Sequence, residues 1–386
     1  MKPRIYLDNS ATTRVDASVL EAMLPCLREN FGNASSIHTF GQDARAAVEE
    51  SRRHVAQLIG ADTREIVFTS GGTESDNTAL WAVFRSGYRP GNHIITTRIE
   101  HPAILATCKA LQSAGAEITY LAVDSGGRVD PSAVEAAITD RTVLISVMHA
   151  NNETGVIQPI EEISALARAR GILVHTDAVQ SAGKIALDAQ KLGADLFSLS
   201  GHKIHAPKGV GALYVRKNIR FVPFMTGGSH ERKRRAGTEN VPGIVGLGAA
   251  SRLAQESLGE MGQRVASMRD RLESEARRRI PGVRVNGAEP RLPNISNLAF
   301  EGLEGEAAVI AMDLEGVAVS TGSACSSGSL EPSHVLSAMG LRPEVVQGSL
   351  RFSLCRDNTD EEIDRALDVL VGVTERLRRL ARRSYA

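Results

Sequence analysis

From about residue 60 to residue 215 the chain alternates short apolar runs with helical patterns, and this alternation limits the possible folds more than any other feature. The strand-like runs are Glu65–Thr69, His93–Thr97, Glu117–Val123, Val143–His149, Ile172–His175, Leu196–Leu199 and Gly211–Val215. Amphipathic stretches lie between them, among them Ala103–Ser113, Asp130–Ile138 and Pro159–Arg170. Strands that take turns with helices form crossover units, and crossover units build a mostly parallel sheet covered by helices. The expected fold class is therefore α/β, with these seven runs in one large sheet. Such sheets place ligands at the carboxyl ends of their strands. The residues just after each run are where chemistry is to be sought.

With 386 residues the chain exceeds one typical core and suits two domains. A helical pattern from Ile244 to Arg279, stopped by Pro281-Gly282, reads as the connection between them. We expect a large domain over residues 15–255. Residues 1–14 and 256–386 form a smaller α+β domain, which closes in a helical pattern from about Asp360. Lys+Arg and Asp+Glu both number 45, so no global field draws nucleic acid or an anionic membrane. The run Arg376, Arg378, Arg379, Arg382, Arg383 reads as the solvated face of a late helix. No apolar run approaches the roughly 20 residues that span a bilayer, and Met1-Lys2-Pro3-Arg4 carries no signal-peptide core. Cys26, Cys108, Cys325 and Cys355 show neither CxxC pairing nor metal-ligand spacing. The expectation is a cytoplasmic, reduced protein without a metal centre, in which a special cysteine is a nucleophile rather than half of a disulfide.

Four segments carry candidate chemistry. Ser70-Gly71-Gly72-Thr73-Glu74-Ser75-Asp76-Asn77 follows a strand and opens a helix. Its glycines let backbone N–H groups approach an anion, the helix start adds positive potential, and Thr73 offers a hydroxyl; taken alone, the segment reads better as a plain strand-to-helix turn. In His175-Thr176-Asp177-Ala178-Val179-Gln180, an Asp ends a buried strand. That position is costly without a cationic partner such as a protonated pyridine nitrogen. The other reading is a helix cap. Ser198-Leu199-Ser200-Gly201-His202-Lys203 puts a lysine among small polar residues past an apolar strand. Partial desolvation there would free its amine for Schiff-base chemistry, whereas a loop lysine at the surface needs no role. Ser320-Thr321-Gly322-Ser323-Ala324-Cys325-Ser326-Ser327-Gly328-Ser329 is a Gly/Ser-rich loop centred on one thiol, the setting of a reactive cysteine rather than a packed one. Cys26, Cys108 and Cys355 lie in helix- or strand-like contexts and read as structural.

Taken in order, these segments resemble the cysteine desulfurases of the NifS/IscS type, within the fold-type I pyridoxal-phosphate enzymes of the class-V aminotransferase kind. The resemblance runs through Tyr6–Thr13, Phe31–His38, Gly71–Asn77, Ile99-Glu100-His101-Pro102, His149–Gly155, the Asp177/Gln180 and Lys203 segments, Arg234–Asn240, the Cys325 loop through His334, and Arg351–Leu354. It implies pyridoxal 5'-phosphate bound through Lys203, with Asp177 on the pyridinium nitrogen and His101 stacked on the ring and shuttling protons. Asn152 and Gln180 would bond the ring face and its phenolic oxygen. Gly72, Thr73, Ser200 and His202 would hold the phosphate. Thr238 would reach the phosphate from a second subunit, which makes the enzyme a homodimer. Asn9 and Arg351 would clamp the substrate carboxylate. Cys325, on a loop at about residues 320–333, would take sulfur from L-cysteine as a persulfide, leaving alanine, and pass it to an acceptor protein in iron–sulfur cluster assembly or another thiolation pathway. A selenocysteine lyase or an aminotransferase on the same fold is the alternative; transamination needs no loop thiol. Five positions depart from the usual pattern: Ser10 for Ala, Gly201 for Ala, Ala206 for Gly, His230 for Gln, and Cys355 for Gly.

Overall fold

The computed structural model describes residues 4–322 and 332–384. A two-residue strand, β1 (Ile5–Tyr6), comes first. Seven strands then build the large sheet: β2 (Ile66–Thr69), β3 (His93–Thr97), β4 (Glu117–Leu121), β5 (Thr142–Ser146), β6 (Leu173–Asp177), β7 (Leu196–Ser200) and β8 (Gly211–Val215). Their spatial order is β2-β8-β7-β6-β5-β3-β4. β8 runs antiparallel to both of its neighbours, and every other pairing is parallel. All the strands except β8 therefore deliver their carboxyl ends to one edge.

The apolar runs are continuous because both faces of the sheet are covered. Successive side chains point to opposite faces. Ile94, Leu144, Leu173, Leu196 and Leu213 pack on one side with Leu80 and Leu111 of the helices Gly72–Ser86 and Pro102–Ser113. Ile95, Ile145, Val174, Phe197 and Ala212 pack on the other, against Val48 of the helix Thr39–Leu58, Ile163 of Ile160–Ala169 and Leu247 of the long helix Val241–Arg279. Only β4, at the edge, is partly exposed along its length. The strands differ from the expected runs at their polar ends. β6 continues through Thr176 and Asp177, and beyond β5 the Val147 and His149 amides still bond the His175 and Asp177 carbonyls.

A second hydrophobic core gathers Ile5 and Leu7 with residues from Val265 to Val373. Its sheet comprises β9 (Val283–Val285), β10 (Ile295–Phe300), β12 (Ser320–Thr321) and β13 (Ser349–Ser353) in the order β12-β13-β10-β9. The short strand β11 (Val317–Ala318) pairs parallel with β1. The helices Gly305–Leu314 and Asp360–Ser384 cover this core. The long helix places Ala254 in the first core and Val265 in the second, and so joins the two. No helix among the described residues is long and apolar enough to cross a membrane.

Candidate active site

A cavity of ≈ 350 Å³ opens at the carboxyl edge of the large sheet. That is the size of a small-ligand site. The segments that follow β2, β3, β5, β6 and β7 all contribute. After β2, Gly71 starts the helix Gly72–Ser86 with no side chain capping it, so the first backbone N–H groups, which have no partner within a helix, are left for an anion. A Cβ on Gly72 would stand 2.9 Å from Val179 Cγ2, so glycine is what leaves that helix start close to the neighbouring loop. Thr73, and Ser200 at the end of β7, line the same wall. His202 completes it, with its ring Nδ1 3.1 Å from the Thr12 hydroxyl.

Lys203 enters from the turn after β7, and its Nζ donates to the carbonyls of Ser10 (2.5 Å) and Ala11 (2.8 Å). The N-terminal segment is thus drawn over the sheet edge and into the site. Asp177 faces the same cavity from the end of β6. Burial pushes its carboxyl up to about 6, opposed by the Val179 N–H (2.9 Å) and the charge of Lys203. Beneath it, Asp76 is buried and raised well above the ordinary carboxylate range, first by burial and then by the charge of Asp177. His101 follows β3 and caps the helix Pro102–Ser113, its Nδ1 accepting from the Ala103 N–H at 3.1 Å. That bond assigns the proton of the neutral ring to Nε2. Burial, Lys203 and His334 together lower its pKa to about 4, so the imidazole is uncharged.

Arg351, on β13, crosses from the smaller core into this cavity and is 1% exposed. It donates to Asn152 O (3.0 Å) and to Asp8 Oδ1 (2.6 Å). Four buried polar atoms on residues lining the cavity have no hydrogen-bond partner: Ser10 Oγ, Asp76 Oδ1, Gln180 Oε1 and Arg351 Nε. Buried polar groups are almost always satisfied. Four orphans around one lysine mark a site built for a polar guest.

The structure thus brings together Gly72, Thr73, His101, Asn152, Asp177, Gln180, Ser200, His202, Lys203 and Arg351. It does not bring in Asn9, whose amide is spent on the carbonyls of Ser353 (2.9 Å) and Tyr6 (3.3 Å) and which lines a neighbouring cavity. Thr238 is exposed in a separate hollow with Gly237 and Glu239. Cys325 lies outside the described residues. Asp76, Glu100 and Glu153 were not singled out as site residues in the sequence. Glu100 is fully buried beside His101 and accepts from Thr97 Oγ1 (2.7 Å) and Met148 N (3.0 Å), with Oε2 unpartnered. Burial raises it to about 8. Glu153, raised to about 7 by burial, accepts from Ser333 Oγ at 2.5 Å, at the far end of the Cys325 loop. The usable signal was position: Glu100 stands three residues beyond β3, and Asp76 and Glu153 stand in the segments that follow β2 and β5.

Comparison with known proteins agrees with this geometry. Residues 5–366 match the aminotransferase class-V family. A cysteine desulfurase of Nostoc sp. is 51% identical over 378 residues, covering 98% of this chain and 94% of the relative. Among solved structures, a NifS-like protein superposes with a TM-score of 0.91 at 40% identity, covering 96% of this chain and 99% of its own. A structure described as SspA in complex with cysteine gives 0.81 at 36% identity, covering 93% and 100%.

Proposed function

The chain belongs to the class-V aminotransferase family and, within it, to the cysteine desulfurases, and from that premise we propose that pyridoxal 5'-phosphate occupies the cavity around Lys203. The unpartnered Ser10 Oγ, Asp76 Oδ1, Gln180 Oε1 and Arg351 Nε, all lining that cavity, carry this reading. When bound, the cofactor supplies an electron sink for the α-carbon of the substrate. Lys203 is the residue that would hold it covalently. The uncapped helix start at Gly72 and Thr73, with Ser200 and His202, suits its phosphate. Asp177 suits a protonated ring nitrogen, whose charge would offset the burial that now raises the carboxyl. Asn152 and Gln180, which line the same cavity, would bond the ring face and its phenolic oxygen.

The remaining steps belong to the chain's own groups. Arg351 Nε, buried and unspent, binds the carboxylate of L-cysteine, with Asn9 ordering the segment beside it. His101, uncharged and fixed by the Ala103 amide, exchanges a proton at Nε2. The thiolate of Cys325 attacks the substrate sulfur. An S–S bond forms, the substrate's C–S bond breaks, and alanine leaves with the proton that Cys325 gave up, so one thiol and one cysteine become one persulfide and one alanine with no external oxidant. A persulfide on a side chain serves both substrate and an acceptor protein, as carrier between them. The chain's role is a cytoplasmic donor of sulfur for iron–sulfur cluster assembly or another thiolation pathway.

The same reading has Thr238 completing the phosphate site of a partner subunit. The exposure of Thr238 and an apolar patch at Leu27, Phe31, Ile37 and Phe40 support a homodimer. Two hydrophobic cores support a large part over residues 15–255 and a smaller part over 1–14 with 256–386. The test is product formation. With cofactor supplied, the protein should release alanine and, under a reductant, sulfide from L-cysteine, and Lys203→Ala should release neither. Equal release by Lys203→Ala would overturn the assignment.

A further inference from the structure

Behind Lys203, on the side away from the cavity described above, a second small cavity of ≈ 60 Å³ lies between the two cores. His205 and Cys355 both line it. Together with Asp357 they form a cluster in which one ligand atom from each lies within 4.8 Å of the others. The three come from two distant segments of the chain. His205 sits two residues after Lys203, while Cys355 and Asp357 lie on the loop that follows β13.

Three observations single out this cluster. First, the ligand types match one chemistry: a thiol, an imidazole and a carboxylate are the set that holds a borderline divalent ion. In a tetrahedral site ligand atoms stand roughly 3.3–3.8 Å apart, so each needs to move by about 1 Å or less. Second, His205 is held in a left-handed backbone conformation, φ +68°, which a non-glycine residue adopts at a cost. Its N–H donates to Thr13 Oγ1 (2.8 Å), and its Nδ1 is 3.0 Å from the Arg14 carbonyl and 3.9 Å from Asp357 Oδ2. An imidazole whose Nδ1 donates to a backbone carbonyl has its tautomer fixed in the way metal-binding histidines are fixed, and Nε2 is then the nitrogen free to ligate. Burial lowers its pKa, which keeps it neutral and fit to ligate. Third, the charges balance. A thiolate and a carboxylate offset a divalent ion. Of the nearby cations, Lys184 Nζ donates to the Lys203 carbonyl at 3.3 Å, while Arg356 is shared: it pairs with Asp16 and its Nε stands 3.8 Å from Asp357 Oδ1, a long contact that an ion would compete for.

We propose that His205, Cys355 and Asp357 bind one divalent transition-metal ion, zinc by preference, which clips the loop after β13 to the Lys203 loop and so ties the two cores together. The cavity beside His205 and Cys355 leaves a fourth position for water, and the exposed Asp357 gives the ion a way in. The Cys355 thiol, raised to about 11 by burial, releases its proton on binding. The proposal stands apart from the desulfurase reading, because none of its ligands faces the cofactor cavity.

The test is a cobalt titration of the cofactor-loaded protein carrying Cys325→Ser, so that the loop thiol cannot compete. One equivalent of Co²⁺ per chain should give the intense ligand-field bands of a tetrahedral site at wavelengths beyond the cofactor's absorption, and a thiolate-to-cobalt charge-transfer band in the near ultraviolet, read as a difference from the metal-free, cofactor-loaded protein. Zn²⁺ should abolish both signals and raise the thermal midpoint. Cys355→Ser and Asp357→Asn, each checked for folding by circular dichroism and a retained cofactor band, should weaken binding by about ten-fold or more and remove the zinc-dependent stabilisation. Weak octahedral bands without charge transfer would overturn the proposal, and so would an affinity that Cys355→Ser leaves unchanged. The readout does not depend on turnover, so its failure is distinct from failure of the catalytic assignment.

Discussion

Burial makes opposite demands on the acids and bases around Lys203. It lowers His101 and His202 to about 4 and His175 to about 3, so these rings stay neutral. It raises Glu100 to about 8, so that carboxyl stays protonated near neutrality. Each shift is also a statement about stability. A carboxyl whose folded pKa lies above its unfolded value favours the fold fully below the unfolded value, and that contribution is lost as pH rises through the folded one. For Glu100 the window runs from 4.5 to about 8. Glu100→Gln keeps an acceptor for Thr97 and Met148 and removes the ionisation. Compared with the wild type, the variant should be nearly unchanged at the bottom of that window. Above its upper end at about 8, it should be more stable by on the order of 2–4 kcal/mol. Calorimetric melting across the window checks this; a stability difference that does not change with pH would mean that Glu100 is not the buried acid described.

At the scale of elements, the turn after β7 is the part that cannot be read one residue at a time. This chain has Gly201 and Ala206 where the resemblance leads one to expect Ala and Gly, and the sequence offers no reason for either change. The structure does. A Cβ built on Gly201 would lie 3.1 Å from the Ala206 methyl and 3.0 Å from Val210 Cγ1. The two positions share room for one methyl group, and the chain has moved that methyl from one to the other. Gly201→Ala alone should overpack the turn by about 1–3 kcal/mol. Adding Ala206→Gly should recover part of the loss, with a coupling of roughly 0.5–3 kcal/mol in a double-mutant cycle. Additive effects in urea melts would refute the shared space. Regular elements were legible where a period was clean: six of the seven runs contain buried strands bounded within a few residues, and the seventh, β4, is the exposed edge. The helices Ala17–Arg28 and Thr39–Leu58 were not, because Pro25 and Gly41 interrupt their patterns and read as breaks. Thr176 and Asp177 fell outside their strand because polar residues end an apolar run long before they end a ladder.

Across the whole molecule, the site is assembled from residues 10 to 351, and both cores contribute to it. Its members were visible in the sequence because a parallel sheet gathers strand ends at one edge, so the position along a strand stood in for the position in space. Glu100, Glu153 and Lys184 escaped notice because their character comes from burial by distant segments. Asn9 and Thr238 are the members that one chain does not bring to the cavity. For Thr238 the proposed homodimer makes a sharp test. Lys203→Ala and Thr238→Ala homodimers should each be impaired, the second through weaker cofactor binding. Mixed subunits should regain activity, since one site of each hybrid then has Lys203 from one chain and Thr238 from the other. No recovery after verified subunit exchange would place Thr238 outside the partner's site.

The central claim is that sulfur leaves L-cysteine onto Cys325. The direct measurement is mass spectrometry of the intact and digested protein after reaction with L-cysteine in the absence of a reductant, for the wild type and for Cys325→Ala with its cofactor retained. The account predicts one added sulfur on the peptide that contains Cys325, with alanine formed in step, and neither in the variant. Added sulfur on Cys26, Cys108 or Cys355 instead, or undiminished turnover by Cys325→Ala, would contradict it.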